Sequence, residues 1–144
     1  KPTIEKWVPF LKKEIKSVDE QTFFIGHSVG CQTILRYIES LPEKTKIGGV
    51  VFVAGFFSLK GIETDEEKAI TKPWLEIPID TERVKQKIKH IVAIFSDNDP
   101  FVPLENTKQF EERLGAKTIV EKEQGHFKDQ TTPIVLKKLL EMTK

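Results

Sequence analysis

The sequence predicts an α/β chain built on a mostly parallel sheet with helices over both faces. Three observations carry that expectation. Segments with helical apolar spacing alternate with short runs of strand formers, the order that a parallel sheet requires. The strand runs, such as Val50-Val51-Phe52-Val53, are apolar throughout rather than alternating, as in strands covered on both sides. The length, 144 residues, fits one domain around a single core, so residues 1–144 are read as one unit.

Each element has its own signal. Residues 4–15 place Ile4, Trp7, Val8, Leu11 and Ile15 along one face of an amphipathic helix. Residues 22–25 form a short run of strand formers. Residues 31–41 read as a helix with Ile34, Leu35, Ile38 and Leu41 as its inner stripe, stopped by Pro42. Residues 50–53 are the second strand. The stretch 57–80 has no clear period and carries Gly61, Pro73, Pro78 and several acids. It reads as an irregular insertion, long for a connection and of a kind that is often functional. Residues 81–88 read as a helix with Thr81 at its N-cap, and 91–95 as the third strand. Residues 105–114 form a helix ending at Gly115, 117–120 the fourth strand, and 134–142 the closing helix.

Composition excludes several classes of function. Apolar residues make up 38% and charged residues 31%, with 23 basic and 22 acidic side chains and a net charge of +1. No net field favours nucleic acid or an anionic membrane, and no apolar run approaches the ~18 residues of a membrane span. The lone cysteine, Cys31, forbids an internal disulfide and points to a reducing, cytoplasmic compartment. Cys31 reads as a small core residue. The histidines show no metal-binding pairing, and one cysteine cannot build a zinc cluster. Gly48-Gly49 precedes a strand rather than a helix, so it is no phosphate loop. Lys12-Lys13-Glu14 and Lys137-Lys138 read as solvated helix faces.

The chemistry resides in Gly26-His27-Ser28-Val29-Gly30, a G-x-S-x-G sequence. By itself the pattern arises by chance in roughly one chain in twenty of this length. Here it follows a strand and opens a helix, the setting of a nucleophile elbow. The tight turn strains the serine and needs small neighbours where helix and strand approach. The N–H of Val29, at the helix N-terminus, is then a candidate oxyanion donor. A serine nucleophile needs a base. His27 lies inside the elbow and His90 at the start of a strand, and both read as structural. His126 follows Gly125 in the loop after the fourth strand, which suits a base. Two aspartates compete for the acid at the end of the third strand, Asp97 and Asp99. The spacing of Asp99 to Val102-Pro103 favours Asp99, leaving Asp97 for side-chain-to-backbone bonding in the loop. Serine, acid, then histidine is the chain order of an α/β hydrolase.

Five stretches resemble the retinoblastoma-binding protein 9 family of small serine hydrolases. They are Pro2-Thr3-Ile4-Glu5-Lys6-Trp7, Ile25-Gly26-His27-Ser28-Val29-Gly30-Cys31, Lys72-Pro73-Trp74, Ser96-Asp97-Asn98-Asp99-Pro100-Phe101-Val102-Pro103 and Gly125-His126-Phe127. The resemblance implies a three-layer α/β-hydrolase fold, without metal or organic cofactor, acting on small ester or amide substrates. It also implies that Phe56, Phe57 and Trp74 lie near the substrate. Members of that family begin with a strand, a His-Gly-containing loop and a second strand ahead of the segment matching Lys1. The resemblance therefore implies a fold that is N-terminally incomplete here, with the second oxyanion donor outside it. The chain carries no L-x-C-x-E sequence, so a retinoblastoma-type partner is not implied and any protein partner is left open.

The expected reaction is acyl transfer to water through Ser28, His126 and Asp99, by way of an acyl-enzyme. Two alternatives stand beside it. One is a non-catalytic binding or regulatory protein on a hydrolase fold. The other is a transacylase in which an alcohol or thiol replaces water.

Overall fold

Four apolar segments become strands: β1 (Phe23–His27), β2 (Ile47–Val53), β3 (Ile88–Ser96) and β4 (Lys117–Glu121). The computed structural model describes residues 1–128 and 133–143. The strands form one sheet in the order β1-β2-β3-β4, and every neighbouring pair is parallel. All seven residues of β2 are buried, as are residues 91–96 of β3. These central strands are the ones whose sequence is apolar without alternation. β1 and β4, at the edges, are only partly covered.

Parallel neighbours need crossover connections, and the helices supply them. α1 (Ile4–Glu14) precedes β1, and α2 (Val29–Glu39) joins β1 to β2. α3 (Asp65–Glu76) and α4 (Thr81–Lys85) lie between β2 and β3, α5 (Glu105–Leu114) joins β3 to β4, and α6 (Pro133–Met142) follows β4. The alternation along β2 shows that both sheet faces are covered. Phe52 meets Phe110 of α5, with ring centroids 5.5 Å apart. Gly49, odd where Phe52 is even, lies under the Met142 sulfur of α6. The result is an α/β sandwich of helix, sheet and helix layers. Among the described residues no helix is long and apolar enough to cross a membrane.

The structure departs from the sequence-based expectations at particular points. β2 starts at Ile47, so Gly48 and Gly49 belong to the strand. A Cβ at Gly48 would stand 2.4 Å from the Glu20 carbonyl and 2.7 Å from the Phe23 ring, so the space there admits no side chain. α4 ends at Lys85, and β3 begins at Ile88, which takes Lys89 and His90 into the strand. Its N-cap is Asp80 rather than Thr81, and the Asp80 side chain accepts the Arg83 N–H at 3.1 Å.

The larger difference is α3, inside the stretch expected to be irregular. Thr64 caps it by accepting the Glu67 N–H, and Asp65, Glu66 and Glu67 occupy its first turn. That acidic run complements the positive end of the helix dipole. Arg36 of α2 holds the other end, donating from Nη2 to the carbonyls of Trp74 (3.0 Å) and Ile77 (2.7 Å). The helix is therefore stabilised by its cap and by a distant arginine, with only Trp74 fully buried. A periodicity reading is blind to both.

Lys87 fixes the far end of α2. It is 1% exposed, and its ammonium donates to the carbonyls of Ile38, Glu39 and Leu41. These lie where a helix leaves carbonyls unpaired and its dipole is negative. Burial pulls the Lys87 pKa below its ordinary value. Lys87→Met is expected to lower unfolding stability by about 1–3 kcal/mol, because it takes the ammonium from the Leu41 carbonyl and leaves Ile38 and Glu39 with only the Leu41 N–H and Arg83 Nε as donors. Urea denaturation reads this as a lower midpoint at constant slope, and an unchanged midpoint would contradict the role.

Candidate active site

Parallel strands deliver their following loops to one end of the sheet. Ser28 follows β1, Asp99 follows β3 and His126 follows β4, so the three meet at the carboxyl ends of the strands. Ser28 has φ 57° and ψ −121°, outside the regions that side-chain-bearing residues ordinarily adopt. Such a conformation costs about 1–3 kcal/mol and persists only when its surroundings determine it. Here the Ser28 N–H donates to the Val53 carbonyl at 2.9 Å, and the Ser28 carbonyl accepts the Cys31 N–H at 2.9 Å. The first bond ties the turn to β2, the second to α2.

The two glycines of the motif differ. A Cβ at Gly26 would stand 2.8 Å from Ile34 Cδ1 and 3.1 Å from the Cys31 nitrogen, so α2 can cross the strand only over glycine. A Cβ at Gly30 would meet nothing within 4 Å. The need for small neighbours applies to Gly26 alone. Val29 occupies the first position of α2, and the N–H groups of a first helical turn have no partner within the helix. The turn therefore presents the Val29 N–H beside the serine.

His126 links the other two residues. Its Nε2 lies 2.9 Å from Ser28 Oγ and its Nδ1 lies 2.8 Å from Asp99 Oδ2. An ionised carboxylate only accepts, so Nδ1 carries the proton toward Asp99 and Nε2 is free to accept the Ser28 hydroxyl. The Asp99 side chain is 1% exposed and that of His126 13%. The second oxygen of Asp99 accepts the N–H groups of Phe101 (2.9 Å) and Val102 (3.1 Å). The spacing to Val102 is thus a turn in which the aspartate binds the backbone two and three residues on. The Phe101 ring stands edge-on to the His126 imidazole, with centroids 5.5 Å apart.

The histidine loop is held by side chains of Ser96-Asp97-Asn98. Asp97 Oδ1 accepts the Glu123 N–H (2.9 Å), Ser96 Oγ that of Gln124 (2.9 Å) and Asn98 Oδ1 that of Gly125 (2.7 Å). The Ser96 hydroxyl in turn donates to Asn98 Oδ1 at 2.9 Å. Asp97, the competing aspartate, is therefore spent on backbone rather than on His126. Sequence reading missed the roles of Ser96, Asn98 and Phe101. The available signal was four consecutive hydrogen-bonding side chains directly after a strand.

Other candidates are placed elsewhere. Phe56 is buried in the core, and its carbonyl accepts a bond from Gln32. Phe57 packs on Phe110 at 4.9 Å beneath the Arg113 guanidinium. Trp74 is 2% exposed and donates its indole N–H to the Pro2 carbonyl. Phe56 and Trp74 are thus packed into the core, Phe57 is half-buried, and the ring that stands against His126 is Phe101. His90 is exposed on β3, away from the carboxyl ends of the strands. Cys31 is wholly buried beneath the elbow, and burial pushes its thiol from the ordinary 9.0 up to about 12. It stays protonated at neutral pH and is no competing nucleophile.

The chain is similar to known proteins over most of its length. A family model described as serine hydrolase matches residues 1–132. YdeN of Bacillus subtilis is 28% identical over 127 residues, which cover 88% of this chain and 64% of that protein. Its crystal structure superposes with a TM-score of 0.86 at 27% identity, covering 98% of this chain and 75% of the other. Serine hydrolase RBBP9 of Rattus norvegicus is 30% identical over 124 residues, covering 85% of this chain and 61% of the relative. The chain thus spans less than two thirds of the length of these curated relatives. A monoacylglycerol lipase from Paleococcus ferrophilus, at 17% identity and a TM-score of 0.63, shares the fold.

Two outcomes follow from the geometry. Gly26→Ala should lower the melting temperature by several degrees, whereas Gly30→Ala should leave it unchanged or raise it, since alanine favours a helix by about 1 kcal/mol over glycine. Thermal unfolding decides, and equal effects at both positions would contradict the account. The native Cys31 thiol should resist a disulfide reagent at pH 8 and react once urea unfolds the chain. Rapid reaction of the folded protein would show that the thiol is not enclosed.

Proposed function

The chain belongs to the serine hydrolase family, and from that premise we propose that it cleaves small ester or amide substrates through Ser28, His126 and Asp99. The observation that carries this reading is the unbroken relay from Ser28 Oγ to His126 Nε2 and from His126 Nδ1 to Asp99 Oδ2. It joins three separate loops at the ends of three strands.

In the proposed cycle Ser28 Oγ attacks the substrate carbonyl while its proton passes to His126 Nε2. Asp99 orients the imidazole and stabilises the imidazolium without taking its proton. The oxyanion forms beside the Val29 N–H, where the end of α2 favours negative charge. His126 then protonates the leaving alcohol or amine. Water, deprotonated by the same nitrogen, releases the acyl group as an acid and restores Ser28. The likeness to RBBP9 supports placement in that branch of the family.

Steady-state hydrolysis of p-nitrophenyl acyl esters tests the assignment. Ser28→Ala is expected to reduce kcat by about 10³-fold or more. Asp99→Asn is expected to cost about 10²–10⁴-fold, because it offers a donor where the imidazole N–H needs an acceptor. Turnover that survives Ser28→Ala would remove Ser28 as the nucleophile.

A further inference from the structure

His27, read from sequence as a structural residue of the elbow, makes a contact that the relay does not account for. Its Nε2 lies 2.6 Å from the backbone carbonyl oxygen of His126, 99 residues away. A carbonyl only accepts, so His27 Nε2 carries a proton and donates it. The two imidazoles stand with centroids 5.0 Å apart, tilted by 48°. His27 is the last residue of β1 and is in register with Val53 of β2. Its backbone is therefore fixed by the sheet on one side and by the Ser28 turn on the other. The donor is mounted on the rigid part of the site.

The acceptor is mounted on a part that needs support. Glu123, Gly125 and Phe127 have φ of 54°, 57° and 55°, so three of the five residues 123–127 adopt left-handed backbone. Glu123 and Phe127 do so without being glycine, a conformation costing roughly 1–2 kcal/mol each. Such a loop keeps its shape through bonds from outside. Ser96, Asp97 and Asn98 supply them on the β3 side, all to N–H groups that precede His126. His27 supplies the bond on the β1 side, and it falls on the peptide of His126 itself.

We propose that His27 is a positioning residue whose Nε2–H latches the His126 peptide to the elbow and so sets the imidazole between Ser28 and Asp99. The proposal rests on the hydrolase reading above. The latch acts through His126 and touches no reacting atom. Because it orients the base rather than the substrate, its loss should appear in kcat and not in KM. Misplacement of a catalytic group by about 1 Å can slow a reaction about 10²-fold.

The test compares His27→Leu, which has no donor, with His27→Gln, whose amide N–H reaches toward the same carbonyl. With an acyl ester, His27→Leu should lower kcat about 10–100-fold with KM within about twofold, and His27→Gln should recover most of the loss. Ring ¹⁵N NMR of His126 gives a readout independent of turnover. The wild-type protein should show the Nδ1–H tautomer, and His27→Leu a mixture or exchange-broadened signals. Circular dichroism checks the fold. If His27→Leu unfolds, His27→Asn, whose shorter amide stops short of the carbonyl, takes its place with the same expected loss. Unchanged kcat and ring signals, or equal loss in the Leu and Gln variants, would overturn the latch. Ser28→Ala run in parallel separates the two readings: activity surviving it would sink the hydrolase assignment, while the ring signals would still judge His27.

Discussion

The site depends on the join between two loops that the sheet brings side by side. β3 and β4 are parallel neighbours, with Ser96 in register with Glu121. Their following loops leave the sheet at the same level. Ser96, Asp97 and Asn98 then accept the three successive N–H groups of residues 123–125, and Asp99 accepts the proton on His126 Nδ1. Four consecutive side chains thereby meet four consecutive residues. The acid and the histidine are held in one rigid unit, and the separation between them is set by the same bonds that shape the loop.

Ser28 joins that unit through a different constraint. Its backbone is strained, and the strain is held by the bond to Val53 and by the close crossing of α2 over Gly26. Local distortion at the serine, Glu123 and Phe127 is balanced by a core that does not yield: β2 is buried throughout, and Phe110 fills the space between Phe52, Phe57 and Phe95. A rigid sheet with strained loops at one end is the division of labour expected when a fold must present reactive groups precisely where strands stop.

Much of this was legible in the sequence. The element order and parallel sheet followed from unbroken apolar runs, and α5 was found residue for residue because Gly115 ends it in a left-handed turn. Ser28, Asp99 and His126 were picked out by motif, order and spacing, and the structure brings those three together. What stayed hidden depends on contacts between distant residues. α3 is stabilised by a Thr64 cap and by Arg36, neither of which leaves a periodic trace. Gly48 and Gly49 resemble a break until the Phe23 ring and the Met142 sulfur are set over them. Phe56 and Trp74 are aromatic side chains whose burial in the core only tertiary packing shows, while Phe57 is left half-buried against Phe110. The clamp of Ser96, Asp97 and Asn98 was visible as polar residues but not as a partner for residues 123–125.

The central claim is that the fold assembles Ser28 as an activated nucleophile through His126. The most direct measurement is reaction of the purified chain with a fluorophosphonate, followed by intact mass and peptide mapping. The account predicts one adduct, on Ser28, which is lost in a folded His126→Ala variant. An adduct on another residue, or labelling of Ser28 that proceeds equally fast without His126, would contradict it.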